Sequence, residues 1–280
     1  VRLFNSGYAA NVGVLGALVG AGDVVFSDEL NHASIIDGCR LSRAEIVVVP
    51  HRDLHALESA LGSCRSSGRK LVVSETLFSM DGDIADVAAL TALAKRFDAA
   101  LMRDEAHAIG VRGPEGRGIA AEHGVVPDLL VGTCGKALGG FGAFVGTTRA
   151  IADLLWNRAR SLVFSTGRPP AVAAGVRAAV AIVRGAEGDD RRRAVARIAR
   201  ELRRRVPGLG GEELSAIAPR LVGDDREVMR LSARLFDAGV FVQGIRPPTV
   251  PVGTAWRRIS GSAVHADTDL ATLEDALRHR

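Results

Sequence analysis

Ala99-Ala100-Leu101-Met102-Arg103-Asp104-Glu105-Ala106-His107 and Leu129-Leu130-Val131-Gly132-Thr133-Cys134-Gly135-Lys136-Ala137-Leu138-Gly139-Gly140 decide how this chain folds. Each opens as a short apolar run and ends on groups that carry chemistry. Apolar runs of that length, bounded by glycine or polar residues, predict buried strands. In an open α/β sheet the carboxyl ends of such strands are where ligands bind. Asp104, His107 and Lys136 are thereby placed at or just past neighbouring strand ends. Taken singly, Lys136 reads as a surface lysine and Asp104 as a helix cap. Taken together, they supply an amine that can hold a carbonyl cofactor as a Schiff base and an acid that keeps a pyridine nitrogen protonated, as pyridoxal 5'-phosphate chemistry requires.

Outward from these segments, further strands are predicted near residues 24–26, 45–49, 70–74 and 143–146, with helical patterns between most of them, such as 86–97. Alternation of this kind predicts an α/β domain with a mostly parallel sheet. Residues 169–206 read as helical with a break at 185–189, followed by a strand at 216–222, a helix at 226–238, strands at 241–245 and 256–260, and a helix at 267–279. The expected division is a cofactor-binding large domain over 1–168, connecting helices over 169–206 and a small α+β domain over 207–280. Val1 falls inside a predicted strand, so the large domain is expected to lack N-terminal residues.

With 47% hydrophobic residues the chain can bury a sizeable core. Its net charge of +4 comes mostly from arginines at 191–193, 197, 200 and 203–205, set opposite Ala194, Val195, Ile198 and Leu202 on one helix. That pattern predicts a solvated face, the other reading being attraction of an anionic partner such as a coenzyme A tail. Nothing points to nucleic acid. Cys39, Cys64 and Cys134 lack disulfide or metal-site spacing, which predicts a reducing compartment, the cytoplasm, and no metal. Arg177 interrupts the longest apolar run, over 171–183, so no segment reaches the roughly 18 residues of a membrane span, and no signal peptide is evident.

Three more segments bear on a site. Asn5-Ser6-Gly7-Tyr8-Ala9-Ala10-Asn11 ends a strand and opens a helix, whose first amides suit a phosphate, as an ordinary strand-to-helix turn also would. His32 either stacks on a cofactor ring or caps a helix. The loop from Glu75 to Asp83 is dense in hydrogen-bonding groups, as a site lining or a plain Asp81-Gly82 turn would be. Gly140-Phe141-Gly142-Ala143-Phe144-Val145-Gly146 precedes a strand instead of following one, which rules out a dinucleotide fingerprint.

Ser6 through Asn11, Glu75 through Asp83, Asp104 through His107, Gly116-Arg117-Gly118 and Thr133 through Gly140 together resemble the α-oxoamine synthases. These are fold-type-I, aminotransferase-like pyridoxal phosphate enzymes that condense an amino acid with an acyl thioester and lose carbon dioxide. Ile245-Arg246-Pro247-Pro248-Thr249-Val250-Pro251 resembles the branch that joins L-alanine to pimeloyl-CoA or a pimeloyl carrier protein in biotin synthesis. A glycine C-acetyltransferase, or an inactive structural homologue, stays open.

The resemblance implies that Lys136 is the Schiff-base lysine and Asp104 the partner of the pyridine nitrogen. It implies that His107 and Ser79 contact the ring oxygen side, that His32 stacks on the ring, and that Thr133 with the Gly7 and Tyr8 amides holds phosphate. Arg258 would bind the amino-acid carboxylate, with Thr249 near the acyl substrate. Thr166 would reach the phosphate of a second subunit in a homodimer. Three places depart from the family pattern: Arg103, where it carries an apolar residue, Gly167-Arg168, and Trp256-Arg257-Arg258. Arg103 is expected either to compete for Asp104 or to reach solvent along its aliphatic stem.

Overall fold

The computed structural model describes residues 1–247 and 249–278. Pro248, within the segment that resembles the alanine-using branch, and His279, the predicted end of the last helix, lie outside the described residues. The chain divides into two compact units, one of residues 1–78 and 85–189, the other of 79–84 and 190–280.

In the first unit strands and helices alternate: β1 (Arg2–Phe4), α1 (Gly7–Leu18), β2 (Val24–Asp28), α2 (Ala33–Ser42), β3 (Glu45–Val49), α3 (Leu54–Ser63), β4 (Lys70–Glu75), α4 (Val87–Arg96), β5 (Ala100–Asp104). There follow α5 (Ile119–Glu122), β6 (Leu129–Thr133), β7 (Ala143–Thr147), α6 (Arg149–Arg158), α7 (Arg160–Val163) and α8 (Pro170–Arg184). The seven strands lie in the order β1-β7-β6-β5-β4-β2-β3. Strands β3, β2, β4, β5 and β6 are mutually parallel, and β7 runs against both β6 and β1. This is the mostly parallel sheet the alternation predicts.

Side chains along a strand point alternately to its two faces, so each strand feeds two cores. Val25, Leu71, Val73 and Met102 join α1 and α2 on one face, while Val24, Phe26, Val72 and Leu101 join α3 and α4 on the other. Buried on both sides, such strands read as continuous apolar runs. Helix starts are fixed by side-chain caps: Ser6, Asp53, Asp86 and Thr148 each accept the backbone N–H three residues on.

The second unit holds most of α9 (Ala186–Arg205), then β8 (Ile217–Gly223), α10 (Asp225–Asp237), β9 (Gln243–Ile245), β10 (Ala255–Ser260) and α11 (Asp267–Arg278). Its antiparallel sheet, in the order β8-β10-β9, packs against Ile198, Leu202, Leu235, Leu270 and Leu273 from the helices. Two expectations change. The break expected at 185–189 shrinks to Gly185, because the polar residues after it start α9 directly. The strand expected at 241–245 pairs only over Gln243–Ile245, with Phe241 turned outward at 77% exposure.

The arginine face of α9 is only partly a solvated one. Arg197, Arg200 and Arg204 pair with Asp267, Glu213 and Glu201 at the surface. Arg203 instead donates to the carbonyls of Ala199, Gly210, Ser215 and Ile217, stapling the chain before β8 onto the helix.

Candidate active site

Asp104 is the last residue of β5 and is 5% exposed. The chain supplies a donor to each oxygen. Ala106 N–H reaches Oδ1 at 2.8 Å, and the Asn11 side-chain amide reaches Oδ2 at 2.8 Å. Asn11 faces inward from α1 and is itself buried. Its second amide hydrogen goes to Ser34 Oγ at 2.9 Å. Turning the amide over would aim its oxygen at the Asp104 carboxylate, so the network fixes its orientation.

Ser34 carries the network on to His32. Its backbone N–H donates to His32 Nδ1 at 3.1 Å, and its hydroxyl lies 2.7 Å from the same nitrogen. Because Nδ1 accepts a backbone N–H, the imidazole proton sits on Nε2 and the Ser34 hydroxyl also donates to Nδ1. His32 therefore caps α2 and is part of the site at once. Burial pushes its pKa below the usual 6.5; the Asp104 charge acts upward and the Lys136 charge downward. Asp104 and Lys136 are thus each within electrostatic reach of His32.

Lys136 sits on the exposed tip of the loop joining β6 to β7. The loop is tightly closed: Cys134 N–H donates to Gly142 O, Gly140 N–H to Cys134 O, and Gly139 N–H to Lys136 O. Thr133, at the end of β6, gives its hydroxyl to Gly142 O and accepts Gly135 N–H. After β5 the chain turns through His107, which is half-buried. Glu105 anchors that turn, its carboxylate accepting Ile119 and Ala120 N–H groups at 2.8 and 2.9 Å. Gly118 lets it come so close: φ is +92°, and a Cβ there would stand 2.2 Å from Glu105 Oε2.

Gly7 and Tyr8 form the first turn of α1, where amides lie outside the helical ladder, and a Cβ at Gly7 would meet no atom within 4 Å. That leaves open space for a phosphate in front of the helix. The Tyr8 side chain turns away, its hydroxyl donating to Asp37 at 2.8 Å. Thr166 is exposed, and its carbonyl accepts the Asn5 amide at 2.9 Å just ahead of α1. Ser79, Thr249 and Arg258 belong to the second unit. There Arg258 donates from Nε to Ser79 O at 2.7 Å and from a terminal nitrogen to Ser260 Oγ, and burial lowers its pKa. Thr249 is exposed, its N–H bonded to Arg246 O.

The expectation that Arg103 competes for Asp104 is wrong, and so is its alternative. Alternation along β5 sends Arg103 to the opposite face of the sheet, where it is fully buried at 0% exposure. One terminal nitrogen donates to Val87 O at 2.5 Å and Thr91 Oγ1 at 3.0 Å on α4, while Nε and the other terminal nitrogen are buried without a partner. Burial lowers its pKa to about 10.

Sequence reasoning gave Asn11 and Ser34 no role. Asn11 stands inside a quoted motif and Ser34 two residues after His32, but the bond from Asn11 to Asp104 spans 93 residues of sequence, a distance at which local patterns carry no signal.

The donor set fits pyridoxal 5'-phosphate: a lysine amine, a buried carboxylate already oriented by two N–H groups, a neutral imidazole in a set tautomer, and free space before a helix N-terminus.

Comparison with known proteins agrees with that fit. The sequence model of aminotransferase class I and II matches residues 3–277. An 8-amino-7-oxononanoate synthase of Geobacter sulfurreducens is 51% identical over 273 residues, covering 96% of this chain and 70% of the relative. One from Pelobacter propionicus is 49% identical over 281 residues, covering 99% and 72%. Among solved structures, serine palmitoyltransferase from S. paucimobilis, with a bound PLP–myriocin aldimine, superposes with a TM-score of 0.94 at 33% identity, covering 99% of this chain and 71% of that one.

Proposed function

This chain belongs to the aminotransferase class I and II family, and on that footing we propose that it is an 8-amino-7-oxononanoate synthase, condensing L-alanine with a pimeloyl thioester for biotin synthesis. The observation that carries the reading is the buried Asp104 carboxylate, held from both sides at a strand end within electrostatic reach of His32, which also feels the Lys136 charge.

Pyridoxal 5'-phosphate, when bound, supplies an electron sink for the carbanion formed at the amino acid's Cα. Lys136 Nζ holds the cofactor at rest, then takes the Cα proton and later returns one to the product. Asp104 keeps a proton at the pyridine nitrogen. His32 presents a neutral ring face, with Nε2–H as its remaining donor. The Gly7 and Tyr8 amides and Thr133 hold the phosphate, while His107 and Ser79 meet the ring oxygen. Arg258 takes the amino-acid carboxylate, and Thr249 lies by the acyl chain.

The proposed partner is a second copy of the chain, with Thr166 reaching the neighbour's phosphate. Helix α8 supports this, since its 15 residues are amphipathic yet none is buried. Leu3, Trp156 and Phe164 add large exposed apolar surface to the same unit. The cytoplasm is the proposed location, on the three free cysteines. Among the described residues no helix is long and apolar enough to cross a membrane.

The test is to incubate purified, cofactor-loaded protein with L-alanine and pimeloyl-CoA and to follow product by mass spectrometry. Product of the expected mass, with glycine and acetyl-CoA turned over far more slowly, supports the assignment. The reverse preference would assign a glycine C-acetyltransferase.

A further inference from the structure

In the second unit three arginines converge without an acceptor. Arg257 of β10 lies directly across from Arg220 of β8. Alternation puts Arg257 on the side of Ala255 and Ile259, the face that the helices cover, and α10, which carries Arg234, packs on that sheet. Arg257 is 5% exposed, and the Nε atoms of Arg257 and Arg234 are both buried without a partner. Among the described residues, none of these three side chains makes a hydrogen bond or an ion pair. The Ser232 hydroxyl on α10 is likewise buried and unmatched; it sits over Gly244, the neighbour of Arg257 on the other side of β10.

Like charges directly opposite on a sheet repel, and a buried cation without a counter-charge is costly. Burial, followed by the Arg220 and Arg234 charges, lowers the Arg257 pKa to about 10, and Glu227 alone acts upward. Glu227 is already engaged: Arg230 grips both its oxygens at 2.7 Å. Arg203 shows that this same unit satisfies an arginine with carbonyls where the fold requires one. What the cluster lacks is an acceptor carrying negative charge.

We propose that Arg220, Arg234 and Arg257 form a binding site for a tetrahedral oxyanion of the phosphate class. Planar guanidinium forks match phosphate oxygens with paired N–H donors, and one anion would answer several of these charges. Arg220 and Arg234 are only partly buried, so the anion enters past them. Free phosphate and a phosphate ester on a nucleotide-like carrier share this chemistry.

The test uses cofactor-saturated enzyme, so that the cofactor's own phosphate site is filled. Inorganic phosphate is titrated at constant ionic strength, followed by calorimetry and thermal unfolding. Saturable binding that raises the melting temperature, and that weakens at least tenfold in both Arg257→Leu and Arg220→Gln, is expected. Adenosine 3',5'-bisphosphate binding tenfold tighter than phosphate at the same residues assigns an ester, and equal binding assigns the free ion. Absence of saturable phosphate binding in the parent protein overturns the proposal, as does binding that both variants retain. An Arg257→Leu protein stabilised equally with and without phosphate overturns it too, by showing the arginine to be an unanswered charge.

Discussion

Asp104 in the first unit and Arg257 in the second are each 5% exposed. Around the carboxylate the chain supplies a backbone N–H on one side and a buried asparagine on the other. Around the guanidinium it supplies two more arginines and no acceptor. The first is a charge whose geometry is set before any ligand arrives, which is how a group that must stay aimed at a cofactor atom is best built. The second is a charge that the protein leaves for something else to complete. Arg103 stands between them, with one terminal nitrogen bonded to α4 and the rest of its guanidinium unmatched.

The sharpest way to break this contrast is to remove the satisfied charge. Asp104→Asn is expected to cut turnover by roughly 10²–10⁴-fold while the cofactor still binds, since losing one partner of a buried pair costs about 3–5 kcal/mol. Steady-state kinetics beside a cofactor-binding titration read this, and near-normal turnover would sink the role given to Asp104.

A smaller effect, of opposite sign, is expected from the half-satisfied charge. Arg103→Val should raise stability by about 1–3 kcal/mol, because exchanging a poorly matched buried charge for packing carbon is commonly favourable. The cofactor's absorbance should not change, since Arg103 and Asp104 lie on opposite faces of β5. Denaturant titration and a spectrum settle both halves; an altered spectrum would mean that the two faces communicate.

The smallest effect concerns the network itself. Ser34→Ala removes the hydroxyl at His32 Nδ1 and should cost about 1 kcal/mol. His32 has a lowered pKa, so its contribution to stability is complete above 6.5 and is lost as pH falls through its lower folded value. In the variant that loss should begin at higher pH, while nitrogen-detected imidazole NMR of the cofactor-free protein should still place the proton on Nε2, because the backbone N–H of residue 34 remains at Nδ1. An unchanged titration would reduce Ser34 to packing.

The sequence disclosed most where burial is two-sided. Strands β2 to β7 stand within a residue or two of the apolar runs that predicted them, and for β2, β4, β5 and β6 the reason is that a parallel strand covered on both faces has little room for polar residues. It disclosed less where pairing is long-range or partial. The order of strands, the assignment of residues 79–84 to the second unit and the bond from Asn11 to Asp104 all join segments far apart in the chain. Phe241 misled because an exposed aromatic before a short strand looks like part of it. The face of Arg103 was legible and went unread: residues two apart share a face, so Arg103 goes with Leu101 and Asp104 with Met102.

One measurement bears most directly on the claim that the Lys136 loop and the Asp104 strand end form a cofactor site. The chain has three lysines, Lys70, Lys95 and Lys136. Cofactor-loaded protein is reduced with borohydride, digested, and the added mass located by peptide mass spectrometry. The account predicts the added mass on the peptide containing Lys136, and none in Lys136→Ala. Finding it on Lys70 or Lys95, or finding it undiminished in Lys136→Ala, would contradict the account.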